Sequence, residues 1–148
     1  MSIEFSLQTV LDYRHSRVEG LEIELGRLLF EQQQARRALE ALEASRQSLF
    51  GELRQKQAGV LDLASLTQMR LNLRHLEKRL AQQQTALAEL AQRIDEHRRR
   101  LITAKQDEET LVTLKNKEIA QQRAEQMRLE NALRDDLYIM RAHQRAAS

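Results

Sequence analysis

The sequence predicts an all-α protein, an antiparallel two-helix coiled-coil hairpin whose longer second helix overhangs at the termini. Three observations predict this fold class. The 148 residues include no proline and four glycines, and only 3% are aromatic, so little interrupts a helix or fills a wide core. The other residues are mainly Ala, Leu, Glu, Gln, Lys and Arg, which lose little side-chain freedom in a helix. Apolar residues recur at alternating spacings of three and four, which is typical of a coiled-coil seam.

The first seam predicts a helix over residues 5–57. Eleven of its fourteen positions are apolar, and the register stays in phase over seven heptads. About three or four heptads already distinguish a coiled coil from chance. The fourteen positions are Leu7, Leu11, Arg14, Val18, Leu21, Leu25, Leu28, Gln32, Ala35, Leu39, Leu42, Arg46, Leu49 and Leu53.

A break at residues 58–62 is the predicted tip of the hairpin. Gly59 can take the left-handed conformation that ends a helix, and Asp62 can cap the next helix by accepting a bond from a free N–H group. The second helix is predicted over residues 63–142, followed by a frayed tail at 143–148. Its main seam positions are Leu66, Met69, Leu73, Leu76, Leu80, Gln83, Leu87, Leu90, Ile94, His97, Leu101, Ala104, Glu108 and Leu111. The three regions are predicted to form a single domain over residues 1–148.

Folding the chain about residue 60 predicts which parts of the two helices face each other. Leu21 then lies near Arg99, and beyond about Lys115 the second helix has no intramolecular partner. An isolated helix is marginal in water, and an exposed apolar stripe usually marks a contact surface. We therefore predict that this overhang docks onto a partner, with a frayed tail as the alternative. Its apolar seam residues are Ile119, Leu129, Leu133 and Met140.

The sequence offers no pattern for a catalytic, metal or cofactor site, so we predict a protein that is not an enzyme. Cysteine is absent, and no two of the four histidines lie three or four residues apart, as a metal pair on one helix face requires. No glycine-rich phosphate-binding loop occurs. No apolar run approaches the roughly 20 residues that cross a bilayer, so we expect no membrane insertion.

A basic cluster lies in the middle of the second helix, at His97-Arg98-Arg99-Arg100. It can bind acidic groups of a partner, or it can face Glu19, Glu22 and Glu24 of the first helix, which is the interpretation we favour. The formal net charge is only +2, so a nucleic-acid-binding coiled coil ranks low, and we predict no nucleic-acid partner.

Several stretches resemble flagellar FliJ proteins, the small coiled-coil component of the flagellar type III export apparatus. The opening Phe5-x-Leu7-Gln8-x-Val10-Leu11-x-Tyr13-Arg14 is similar to the start of that family. Similar stretches are Gln33-Gln34-Ala35 running to Leu39 and Leu42, then Leu76-Glu77-Lys78, and Arg128-Leu129-Glu130-x-x-Leu133-x-Asp135-Asp136-Leu137. The last departs from the family's Glu-Gln-Lys-x-x-Asp-Glu ending, because Asn131 and Ala132 replace Gln-Lys and Asp136 replaces Glu.

The resemblance implies a non-catalytic stalk protein. The end that carries both termini would insert into the ring of the export ATPase and promote its assembly and activity. The other part of the hairpin would reach the export gate protein of the inner membrane, and export chaperones are further implied partners. The implied localisation is cytoplasmic, in peripheral association with the inner-membrane export apparatus. We expect the isolated protein to be a monomer.

The resemblance also assigns residues to these contacts. Those of the ATPase-facing end are Leu7, Val10, Leu11, Tyr13, Arg14, Leu129, Leu133, Asp135 and Asp136. Leu42 and Leu76 match family positions on the gate-facing part, where Leu49 and Phe50 are plausible neighbours. Leu42 and Leu49 are also seam residues, and packing within the hairpin explains them equally well.

Two other readings stay open. The first is the equivalent stalk protein of a virulence type III injectisome, against which the Phe-x-Leu-Gln-x-Val-Leu opening favours the flagellar branch. The second is a structural or dimerising coiled-coil tether, in which the second helix pairs along its whole length with another chain.

Overall fold

A computed structural model describes residues 5–59 and 62–147, and within them the chain forms two long helices and no β-strand. Helix α1 is Gln8–Gln57 and helix α2 is Leu63–Ala147. They pack against each other as an all-α helical hairpin, which confirms the predicted fold class. The chain divides into two compact units, a terminal unit of residues 1–19 and 102–148 and a central unit of residues 20–101. That residues 1–148 form a single domain stays a prediction.

The outer ends of the helices differ from the predicted bounds. Helix α1 begins at Gln8 rather than at residue 5, because the chain turns just before it: the Gln8 N–H donates to the Phe5 carbonyl at 3.1 Å. Helix α2 continues to Ala147, so residues 143–147, predicted to be frayed, are helical. This stretch has no glycine or proline and ends in two alanines, the residue most favourable to a helix.

The inner ends of the helices follow the prediction more closely. Helix α1 ends at Gln57 and α2 starts after Asp62, whose side-chain oxygen accepts a hydrogen bond from the Ala64 N–H at 3.1 Å. Gly59 does not use the left-handed conformation, since no described glycine has a positive φ. Its N–H instead donates to the Lys56 carbonyl at 3.4 Å, a bond that tightens the final turn. Two residues of the predicted tip, 60 and 61, lie outside the described residues.

In the central unit, every predicted seam position from 21 to 53 and from 66 to 101 is buried or half-buried. Leu28 is 1% exposed and packs with Leu90 and Ile94 of α2. The polar seam residue Gln83 is satisfied, because its side-chain amide donates to the Ala35 carbonyl at 3.0 Å. These contacts lie close to the pairing obtained by folding the chain about residue 60.

In the terminal unit, the seam starts and ends differently from the prediction. Leu7 is 42% exposed, and Phe5 takes its place in the core, packed with Leu11 and Leu111. Half-burial of α2 extends past Lys115 to Gln122. Ile119, which we expected to be exposed, is therefore partly covered. The overlap is longer because the turn before α1 carries the chain further along α2, with Ser6 Oγ 3.5 Å from Glu118 Oε2.

Candidate partner-docking site

The end of α2 is a helix that no other described part of the chain covers. Every residue from 123 to 147 is exposed, over a length of about 37 Å at about 1.5 Å per residue. We call these residues the C-terminal segment. Four large apolar side chains spaced by four, four and three lie on one face of it and form what we call the apolar stripe. They are Leu129, Leu133, Leu137 and Met140, which are 59%, 61%, 48% and 58% exposed. The predicted exposure of Leu129, Leu133 and Met140 is thus found, and Leu137 extends the same face.

The other residues predicted to face the ATPase fall into two groups. Asp135 and Asp136 are exposed on the C-terminal segment, Val10 and Tyr13 are 40% and 65% exposed on α1, and Leu7 is 42% exposed just before α1. These five are available to a partner.

The residues of the second group pack within the terminal unit. Leu11 is 8% exposed, in a buried cluster that contains neither Leu129 nor Leu133. The Arg14 guanidinium donates to the Asp107 carbonyl at 2.8 Å, and therefore ties α1 to α2. Packing between the helices therefore accounts for Leu11 and Arg14, with or without a binding partner.

A cross-helix histidine in the terminal unit was not found from the sequence. His15 Nδ1 lies 2.6 Å from Glu108 Oε1, and its Nε2 lies 2.9 Å from Glu19 Oε1. The hydrogen bond to Glu108, and then the negative charges of Glu108 and Glu19, raise the pKa of His15 above its usual value of 6.5. Folding the chain about residue 60 brings Glu108 close to His15, and this proximity could have indicated the contact from the sequence.

Two members of the basic cluster in the central unit pair with carboxylates, each in a different way. His97 Nε2 lies 3.2 Å from Glu24 Oε2 of α1, as the interpretation of facing charges predicts. The proximity of His97, as a polar N–H group and as a charge, lowers the pKa of Glu24. Arg99 instead pairs along its own helix, with Asp95 at 3.0 Å.

The residues assigned to the gate-facing part all lie in the central unit. Leu42, Leu49 and Leu76 are half-buried in the seam, and Phe50 is 39% exposed. Leu49 and Leu76 line one open cavity of about 370 Å³ together with His75. The structure thus brings Leu49 and Leu76 together and leaves Phe50 at the surface. Their role in binding a gate protein stays a prediction.

In the part of the chain that the structure describes, no group of three or more acidic or histidine side chains is arranged to hold a metal ion. Neither helix, over its described residues, has a stretch long and apolar enough to cross a membrane.

Comparison with known proteins supplies the family. No curated protein and no solved structure matches the chain. The family described as "Flagellar FliJ protein" matches residues 3–147, which include both helices and the C-terminal segment. This match extends over nearly the whole chain and agrees with the resemblance of the opening and closing motifs. The chain therefore belongs to the flagellar FliJ protein family, which implies a stalk component of flagellar type III protein export.

Proposed function

We propose that this protein is a non-catalytic stalk of the flagellar export apparatus whose C-terminal segment docks into the ring of the export ATPase and promotes its assembly and activity. The observation that carries the proposal is the apolar stripe, which no other part of the described chain covers. Membership of the FliJ family supports the choice of an export protein as the occupant.

The energetics favour a covered stripe. Covering the exposed parts of Leu129, Leu133, Leu137 and Met140 contributes roughly 3–6 kcal/mol before the costs of association. A ring lumen suits an isolated helix because it meets several faces of the helix at once. Val10 and Tyr13, exposed on α1 of the terminal unit, are further candidates for contact with the ring.

The central unit is the proposed gate-facing part. Leu49 and Leu76 share one open cavity, and Phe50 is exposed on α1. We propose that this surface meets the export gate protein, that export chaperones are transient partners, and that the protein works at the cytoplasmic side of the inner membrane without inserting into it.

A dimerising tether is the second candidate, because the apolar stripe has coiled-coil spacing and would also fit a second copy of the chain. Light scattering separates the two functions. The stalk requires a highly helical monomer in isolation, whereas an obligate dimer that Leu133→Asp dissociates would favour the tether. An injectisome stalk is less favoured, since the matching family is the flagellar one.

The direct test is ATP hydrolysis by the purified export ATPase with and without this protein. We expect the wild-type chain to stimulate hydrolysis and to co-sediment with the ring. Leu133→Asp should abolish both effects with little loss of helicity, because Leu133 is 61% exposed on the C-terminal segment. Ile23→Asp is the matched control, since Ile23 is 75% exposed on α1 of the central unit, and it should behave as wild type.

Two results would contradict the proposal. One is a wild-type chain that neither stimulates the ATPase nor binds its ring. The other is global unfolding of Leu133→Asp, which would mean that the C-terminal segment packs within the chain.

A further inference from the structure

The two flanks of the apolar stripe carry different charges. Arg123, Arg134 and Arg141 are separated by eleven and seven residues, spacings that return to the same side of an α-helix. Arg145 lies one turn further on. This row, which we call the arginine flank, runs about a quarter turn from the stripe over about 33 Å.

Two arginines of the arginine flank have no partner in the part of the chain that the structure describes. Among the described residues, Arg134 and Arg141 have no ion pair or hydrogen bond, although Glu130 lies on the same side of the helix. Arg128, which lies off this flank, is paired with Glu125 at 2.7 Å. The C-terminal segment thus pairs Arg128 with one of its own carboxylates and leaves Arg134 and Arg141 available to a partner.

The other flank of the apolar stripe is acidic. Asp136 and Glu125 lie on that side and are exposed, and the Glu125 carboxylate also binds Arg128. The apolar stripe is therefore bordered by a mainly basic edge, which also holds Glu130, and by an acidic edge. Charged borders of this kind set the orientation of a partner on a coiled-coil seam.

We infer that the protein surface covering the apolar stripe carries carboxylates beside its apolar groove, and that these contact Arg134 and Arg141 on the arginine flank. This inference rests on the proposed docking and adds the chemistry of the partner's surface. A guanidinium holds a carboxylate through two parallel hydrogen bonds. Charges at the rim of an interface mainly raise the association rate and fix the orientation of docking.

The arrangement fits a protein better than a lipid surface or a nucleic acid. A helix that lies on an anionic membrane carries basic residues beside its apolar face, whereas Glu125 and Asp136 occupy one edge here. A phosphate backbone would meet the arginines but leave the stripe uncovered. A protein surface with an apolar groove and one acidic rim would contact both the apolar stripe and the arginines.

The test is the affinity of the full-length chain for the purified export ATPase at about 50 mM and about 500 mM salt, where screening differs strongly. Wild-type binding should weaken as salt rises. Arg134→Glu/Arg141→Glu should bind about tenfold or more weakly at low salt and lose most of the salt dependence. Arg36→Glu/Arg37→Glu is the control with the same change of charge. Both its residues are exposed on α1 of the central unit, and it should bind as wild type.

The outcomes separate the two proposals. If wild type binds, Leu133→Asp does not, and Arg134→Glu/Arg141→Glu binds with unchanged affinity and salt dependence, the inference is wrong while the docking stands. If wild type does not bind the ATPase at either salt concentration, the proposed function fails and the inference fails with it.

A charge-removing variant and a lipid surface provide two further comparisons. Arg134→Gln/Arg141→Gln removes the charges without reversing them and should lose part of the affinity, with unchanged helicity by circular dichroism. The inference would be overturned if wild type binds phosphatidylglycerol vesicles, Arg134→Glu/Arg141→Glu does not, and both bind the ATPase equally well. The arginine flank would then be assigned to lipid.

Discussion

Leu28 is the most deeply buried large side chain among the described residues, at 1% exposure between Leu90 and Ile94. We expect Leu28→Ala to lower the free energy of unfolding by about 3 kcal/mol, through lost burial and the cavity left behind. Leu129→Ala removes the same atoms from a side chain that is 59% exposed and should cost less than about 0.5 kcal/mol. Urea denaturation measures both, and equal losses would contradict the assigned core.

His15 should make the stability of the terminal unit depend on pH. Its pKa is raised in the folded state by Glu108 and Glu19, so its contribution is complete below the usual pKa of 6.5 and is lost as pH rises through the folded pKa. The difference in melting temperature between wild type and His15→Gln should therefore be largest in mild acid and shrink toward alkaline pH. NMR titration of the imidazole gives the pKa directly. A pKa at or below the usual value would refute the pairing.

Single residues were predictable where periodicity governs them. The positions from Leu11 to Leu53 are buried or half-buried because each recurs in phase with the seam. Phe5 was missed as a core residue because it precedes α1 and reaches the core through a turn, which no helical period describes. The contact of His15 with Glu108 lies at the edge of the seam, where side-chain conformation decides which groups meet.

At the scale of the helices, starts and stops were predictable where a specific residue marks them. Asp62 marks the start of α2, and its side chain accepts the capping bond. The end of α2 has no such signal, because residues 123–147 contain neither glycine nor proline, and the helix simply continues. The exposed face of the candidate site, around Leu129 and Leu133, followed from the same periodicity. Its flanking arginines did not, because their significance depends on which neighbours neutralise them.

Helix α1 can be stabilised at an exposed glycine. Nothing lies within 4 Å of a Cβ added at Gly26, and glycine in a helix interior costs about 0.5–1 kcal/mol relative to alanine. Gly26→Ala should therefore raise the free energy of unfolding by about that amount in thermal or urea denaturation. Gly59→Ala, beyond the end of α1, is the control and should gain no helix-interior contribution. A loss of stability in Gly26→Ala would mean that this face of α1 is not open.

At the scale of the molecule, α2 has two parts with different roles within the terminal unit. Up to Gln122 the helix packs against α1 and the turn before it, which gives it a fixed position. From Arg123 onward it presents side chains outward on every face, which suits contact with a surrounding partner. Family membership places the protein in flagellar export. Docking into the ATPase ring is our proposal for what the exposed part does there.

Hydrogen exchange on the full-length protein, alone and with the purified export ATPase, tests this account most directly. Alone, amides of residues 123–147 should exchange quickly, because an uncovered helix opens easily, while those around Leu28 and Leu90 are protected. With the ATPase, residues 123–147 should gain strong protection, and the protection around Leu28 should stay unchanged. Equal exchange of residues 123–147 with and without an ATPase that binds the chain would contradict the account.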